Sequence, residues 1–280
     1  MIGSSLLVYC VLTGLFLLLG SGLLIFCRRQ RFRRRRHELL SSEIDPQWGS
    51  ILEENFPLYR KMPDDIRRRL GGYVNAFIEE KSFETCGGLG QLTDEMLVTV
   101  AGQACILLLN GRFGVFDSLH SVLLYPNAYD VMDSRDRSGL GKAKSRRLGE
   151  SWESGSVVLS WAHVVSGPAC PNDGRNLVIH EFVHQLDQCD GVADGAPAFI
   201  SREEQRNWAG VFRDAYQLHG KYLQRGKKLV IDEYGATNPA EFFAVASETF
   251  FERPKKLSIR YPDLYDRLRV FYELDPLQWT

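Results

Sequence analysis

The chain has 280 residues, 44% of them hydrophobic and 25% charged, with a formal charge of −1. That apolar content excludes a disordered protein, and the length is enough for one sizeable buried core. The near-neutral charge conceals a split: seven arginines run from Arg28 through Arg36, and without them 27 basic face 35 acidic side chains, a balance of −8 that excludes a general binder of nucleic acid.

In chain order, the first element is apolar. Residues 2–27 carry no charged side chain, and residues 6–26 alone supply 21 residues, enough to span a hydrocarbon core of about 30 Å as a helix. No basic residue precedes the run, and it is too long and leucine-rich for a cleaved signal, so an anchor is expected. By the positive-inside rule the arginine cluster stays in the cytoplasm, which gives a single-pass protein of the cytoplasmic (inner) membrane whose C-terminal domain faces the cytoplasm. The cluster, Arg28 to Arg36, then meets anionic lipid. In that reducing compartment Cys86, Cys105, Cys170 and Cys189, which lack paired metal spacing, are expected as free thiols.

Beyond the cluster the pattern turns helical. Ile66, Leu70, Val74, Phe77 and Ile78 recur at helical spacing within residues 63–80. Residues 96–109 are strongly apolar but number only 14, which predicts a buried helix and not a second membrane pass. A strand region is expected from Phe113 to Phe116 onward, with strands over residues 122–125 and 156–161, both β-branched and short. The polar, glycine- and serine-rich stretch 133–155 between them reads as a long loop.

The pentad His180-Glu181-Phe182-Val183-His184 follows, inside the apolar stretch 177–186. On a helix two residues four apart share a face, so both imidazoles can reach one ion at about 2.0–2.1 Å. Glu181 is then placed to take a proton from water at the metal. Zinc with two histidines wants a third protein ligand, and Glu241 is the best candidate. Asn238 reads as an N-cap and Pro239 as the first helical residue, so Glu241 has a competing role in a capping box, and Glu248, seven residues on, offers a second acid on the same face. Asp187, three residues past His184, competes between orienting a ligand histidine and being a solvated acid near a helix end.

Together, His180-Glu181-x-x-His184-x-x-Asp187 and Tyr234-Gly235-x-Thr237-Asn238-x-Ala240-Glu241-Phe242-Phe243-Ala244 resemble the catalytic core of the Mlc titration factor A family of zinc peptidases, and are similar to the catalytic domain of anthrax lethal factor. The resemblance covers about residues 122–254 and places the chain among the glutamate-ligand zincins. It implies that His180, His184 and Glu241 bind one Zn2+ per chain, that Glu181 is the general base and that Tyr234 stabilises the transition state. A tyrosine phenol is chemically suited to that last task, since it donates a hydrogen bond to a developing oxyanion. The resemblance further implies a peptide or protein substrate, with a transcriptional regulator as a partner. Peptidases of this plan take substrate as an added strand along a sheet edge, and residues 156–161 are the candidate edge.

The expected fold is α+β: a zincin-like metallopeptidase domain with a small sheet and surrounding helices, preceded by one transmembrane helix. The expected divisions are residues 1–27 as anchor, 28–48 as a basic juxtamembrane linker and 49–280 as the zinc metallopeptidase domain. The expected function is a membrane-anchored zinc metallopeptidase. The rivals are a regulatory module that sequesters a protein and retains the zinc site as scaffold, and a zinc hydrolase of small amides.

Overall fold

A computed structural model describes residues 2–132, 144–147, 149–152, 155–169, 173–198 and 201–279; within these, the side chains of 2–19, 129–132, 144–147, 152 and 168–169 lie outside the description. The fold is α+β, with eleven helices and two small sheets among the described residues.

Helix α1 (Ile2–Leu40) carries the chain through the apolar run and the arginine cluster without interruption. Among the described residues no helix is long and apolar enough to cross a membrane. Most of residues 6–26, on which the anchor expectation falls, lie outside the described side chains, and the described part exposes Leu23, Leu24, Ile25 and Phe26. The stretch 28–48 is not a free connector. Arg36 binds Glu80 through two hydrogen bonds of 2.7 and 2.6 Å and reaches Asp117 at 2.8 Å, and Leu39, Leu40, Ile44 and Trp48 pack against the core.

Helices α2 (Pro46–Asn55), α3 (Pro57–Lys61) and α4 (Asp64–Glu80) follow. Strand β1 (Ser82–Thr85) precedes α5 (Asp94–Cys105), whose apolar sequence continues as the 3-10 turn Ile106–Leu108, buried throughout. The expected start of the strand region at Phe113 is not met: residues 113–118 form turns, and β2 begins at Ser121. Phe116 adopts φ 48, which breaks extended backbone, and its carbonyl and that of Leu119 are held by the buried Lys81 ammonium at 2.8 and 2.9 Å.

Strands β2 (Ser121–Tyr125), β3 (Tyr129–Met132), β4 (Lys144–Arg147), β5 (Gly149–Trp152) and β6 (Ser156–Ser160) complete the sheets. The larger has the order β1-β2-β6-β5, with β5 antiparallel and the rest parallel; β3 and β4 form a separate antiparallel pair. Residues 156–160 of the expected edge form the interior strand β6, Trp161 already begins the next helix, and the edge nearest the pentad is β5. The run 133–155, expected as a loop, contains β4 and β5; residues 133–143, 148, 153 and 154 lie outside the description. The polar composition that suggested a loop belongs to a short edge strand, whose Ser151 bonds to Gln185 and Gln188. The apolar sequence of β6, buried over four of its five residues, marks an interior one.

The remaining helices are α6 (Trp161–Ala169), α7 (Leu177–Asp187), α8 (Arg202–Gln224), α9 (Pro239–Glu252), α10 (Pro254–Arg260) and α11 (Pro262–Tyr272). Helix α7 is the hub, lying against α5, α6, α9, β5 and β6. Phe182 is fully buried and its ring sits 4.9 Å from Phe116 and 5.7 Å from Phe77. Truncating such a ring costs about 3–5 kcal/mol, so α7 is fixed in place by its apolar side while its histidine face is left for polar work. Cys27, Cys86, Cys105 and Cys189 are free thiols.

Candidate metal centre

Helix α7 starts at an N-cap, Asn176, whose side chain accepts the Ile179 N–H at 3.0 Å. One turn on, His180 and His184 project from the same face with their Nε2 atoms 3.3 Å apart. Helix α9 supplies the third group. Asn238 caps it by accepting the Glu241 N–H at 2.9 Å, and the Glu241 carboxylate turns away from the cap to place Oε2 3.0 Å from His180 Nε2 and 3.4 Å from His184 Nε2. The cap and the carboxylate are thus separate devices: Asn238 uses the backbone of Glu241 and leaves its side chain free.

The three donor atoms fit a metal ion. A tetrahedral site with bonds of about 2.0–2.1 Å has edges of about 3.3–3.4 Å. The observed separations of 3.0, 3.3 and 3.4 Å match that triangle closely enough that small rotations of Glu241 would complete it. Among the described residues His180, His184 and Glu241 are the cluster that could hold a metal.

Burial and mutual hydrogen bonding set the charges of these groups together. Burial raises the Glu181 carboxyl above its usual value, opposed by the two histidines. Burial also opposes ionisation of Glu241, but hydrogen bonds to His180 and His184 outweigh it and hold that carboxyl far below its usual range. For His180 burial disfavours the charged ring, yet Glu241 and Glu248 raise its pKa well above normal.

Glu248 is not part of the triangle. Its Oε1 lies 2.7 Å from His180 Nδ1 and its Oε2 accepts the Asn176 N–H at 2.5 Å, so it braces the ring from behind. The sequence offered Glu248 only as an alternative ligand; its spacing of seven from Glu241 was the available signal. Asp187 also differs from expectation. It is the last residue of α7, and its Oδ1 accepts the N–H groups of Gly195 and Ala196 at 2.9 and 2.8 Å instead of meeting a histidine. Gly195, at φ 83, sits where a Cβ would be 2.4 Å from the Pro239 carbonyl, so Asp187 secures a turn that packs on the start of α9.

Glu181 is buried beside the triangle, and Gly149 at the head of β5 lies directly over it: a Cβ there would be 2.5 Å from Glu181 Oε1. Strand β5 is tied to α7 by a hydrogen bond of 2.6 Å from Gln185 to Ser151. Tyr234 lies in the 3-10 turn Glu233–Ala236, half exposed, with its ring 5.9 Å from the His180 ring and its hydroxyl donating to Glu241 Oε1 at 3.4 Å. All five residues of the expected site, His180, Glu181, His184, Tyr234 and Glu241, therefore converge on one region.

Comparison with known proteins agrees in extent and kind. An uncharacterized protein of Synechocystis sp. is 36% identical over 246 residues, covering 87% of this chain and 89% of that protein. Proteins named Mlc titration factor A from Shigella flexneri and Escherichia coli are each 31% identical over 242 residues, covering 82% of this chain and 87% of theirs. The family described as glucose-regulated metallo-peptidase M90 matches residues 29–273, the whole fold from the arginine cluster through α11, and the chain belongs to that family.

Proposed function

We propose that this chain is a membrane-anchored zinc metallopeptidase that hydrolyses peptide bonds in the cytoplasm. The observation that carries the reading is the triangle of His180, His184 and Glu241 donor atoms with a buried carboxylate, Glu181, beside it. Zinc bound by these three residues would lower the pKa of water toward about 7 and polarise a substrate carbonyl.

The chain's own residues then divide the work. Glu181, whose pKa is raised by burial, accepts a proton from the attacking water and delivers it to the leaving amine. Tyr234 donates its phenolic hydrogen to the oxygen that gains negative charge. Glu248 keeps the Nδ1–H of His180 engaged so that Nε2 presents its lone pair. The edge strand β5, whose first residue touches Glu181, is the place for a peptide to add in extended form.

The anchor belongs to the same proposal. Residues 6–26 span the inner membrane, the arginines that follow meet anionic lipid, and the domain faces the cytoplasm. A reporter fused after Thr280 is expected to be active only as a cytoplasmic fusion; activity outside would reverse the topology.

The test of the site uses the full chain in detergent, because a fragment beginning at Gly49 would lose Leu39, Leu40, Ile44 and Trp48 from the packing. About one zinc per chain is expected by elemental analysis, falling to background in Glu241→Ala. No zinc in the wild type would sink the reading. A second reading, favoured by the name of the titration-factor relatives, is binding and sequestration of a transcriptional regulator over the same zinc scaffold. Glu181→Gln separates them: it removes hydrolysis and leaves sequestration intact.

A further inference from the structure

Tyr234 poses a mechanical problem. It stands in a four-residue 3-10 turn and is 52% exposed, so packing alone does not set the position of its hydroxyl. The turn is held by Asp232, whose Oδ1 accepts the Tyr234 N–H at 3.0 Å and whose carbonyl accepts the Gly235 N–H at 3.1 Å. The other carboxylate oxygen, Oδ2, is taken by Arg175, through Nε at 2.9 Å and Nη2 at 2.6 Å. Arg175 immediately precedes Asn176, the N-cap of the helix that bears His180 and His184.

We infer that Arg175 and Asp232 are positioning residues that fix the Tyr234 phenol relative to the metal helix, an inference that rests on the peptidase reading above. One dipeptide then serves both sides of the centre. The Asn176 N–H binds Glu248, which braces His180, and the Arg175 guanidinium binds Asp232, which braces the Tyr234 turn. The electrostatics fit: burial opposes ionisation of Asp232, but the Tyr234 N–H and Arg175 outweigh it and keep the carboxylate charged. The Arg175 side chain is 70% exposed, and ion pairs with so much water around them add little to global stability. Its geometric role and its contribution to folding are therefore separable by experiment.

The test compares zinc-loaded full-length wild type, Arg175→Met, Tyr234→Phe and the double variant on a quenched, unstructured peptide. Tyr234→Phe is expected to lower kcat about 100-fold, as for loss of one oxyanion donor, and Arg175→Met about tenfold, both with KM near wild type. The double variant is expected to be no slower than Tyr234→Phe, and Arg175→Lys to recover part of the rate. Rate losses that multiply in the double variant, or Arg175→Met turning over at the wild-type rate, would overturn the inference.

Hydrogen exchange gives a readout that needs no turnover. In Arg175→Met the amides of residues 233–237 should exchange faster while those of 177–187 keep their protection; unchanged exchange at 233–237 overturns the proposal. Should no peptide be cleaved by any form, the peptidase reading fails, and exchange alone decides whether Arg175 positions the turn.

Discussion

The Nδ1 atom of His180 lies 2.7 Å from Oε1 of Glu248, on the side of the ring opposite to Glu241. This places one carboxylate behind the imidazole and another in front of it. With the second oxygen of Glu248 accepting the Asn176 N–H, the side chain answers two donors at once. A glutamine there would turn its NH2 group toward one of them. Glu248→Gln is therefore expected to weaken zinc binding about 10–100-fold, measured by competition with a chromophoric chelator. An unchanged affinity would remove Glu248 from the metal centre.

Zinc uptake should release a proton. Burial disfavours the charged His180 ring, but its hydrogen bonds to Glu241 and Glu248 outweigh this and raise its pKa well above the usual value, which favours the protonated ring before a metal binds. The sign follows from linkage: this pairing stabilises the metal-free fold fully below the unfolded value, and the contribution is lost as pH rises through the folded value. A metal needs the Nε2 lone pair and must displace that proton, so affinity rises with pH. Calorimetry at pH 7 in buffers of different ionisation enthalpy is expected to show about one proton released per zinc. Uptake without proton release would mean that His180 is already neutral.

Gly149 is a sensitive position because the Glu181 carboxylate occupies the space a Cβ would need, with Oε1, Cγ and Cδ at 2.5, 2.7 and 2.8 Å. Either the strand or the carboxylate must move. Gly149→Ala is expected to keep its zinc and its fold at a cost of about 1–3 kcal/mol in stability, while peptide turnover drops about 100-fold through a displaced Glu181. Turnover at the wild-type level would show that β5 does not set the position of Glu181.

Much of the centre is legible in the chain because it is written locally. His180 and His184 are one helical turn apart, and Asn238-Pro239 announces the helix that carries Glu241, so spacing alone predicts the shared faces. What sequence spacing left open was settled by distant contacts. Whether Glu241 closes a capping box or faces the histidines depends on where α9 lies relative to α7. The edge strand was misplaced because β5 is short, polar and begins with glycine, features shared with loops; its pairing with β6 decides the matter. Similarly, the contact of Arg175 with Asp232 joins residues 57 apart and leaves no local pattern.

Asp187 supplies a test of burial itself. Its side chain is 0% exposed; Oδ1 holds the Gly195 and Ala196 N–H groups, and Oδ2 has no hydrogen-bond partner among the described residues. Burial, only partly offset by those two N–H groups, pushes its pKa up to about 6. An unfolded aspartate titrates near about 3.9, so between these values the folded protein binds more protons and stability falls as pH rises, by about 2–3 kcal/mol in total. Asparagine keeps the Oδ1 acceptor and carries no charge. In chelator-treated protein, urea unfolding of Asp187→Asn should therefore show a flatter dependence on pH between about 4 and 6. The variant should gain about 2 kcal/mol on wild type from the lower pH to the higher, whatever its absolute stability. Parallel pH profiles for the two proteins would mean that Asp187 is solvated in solution and that the turn at Gly195 is secured by other contacts.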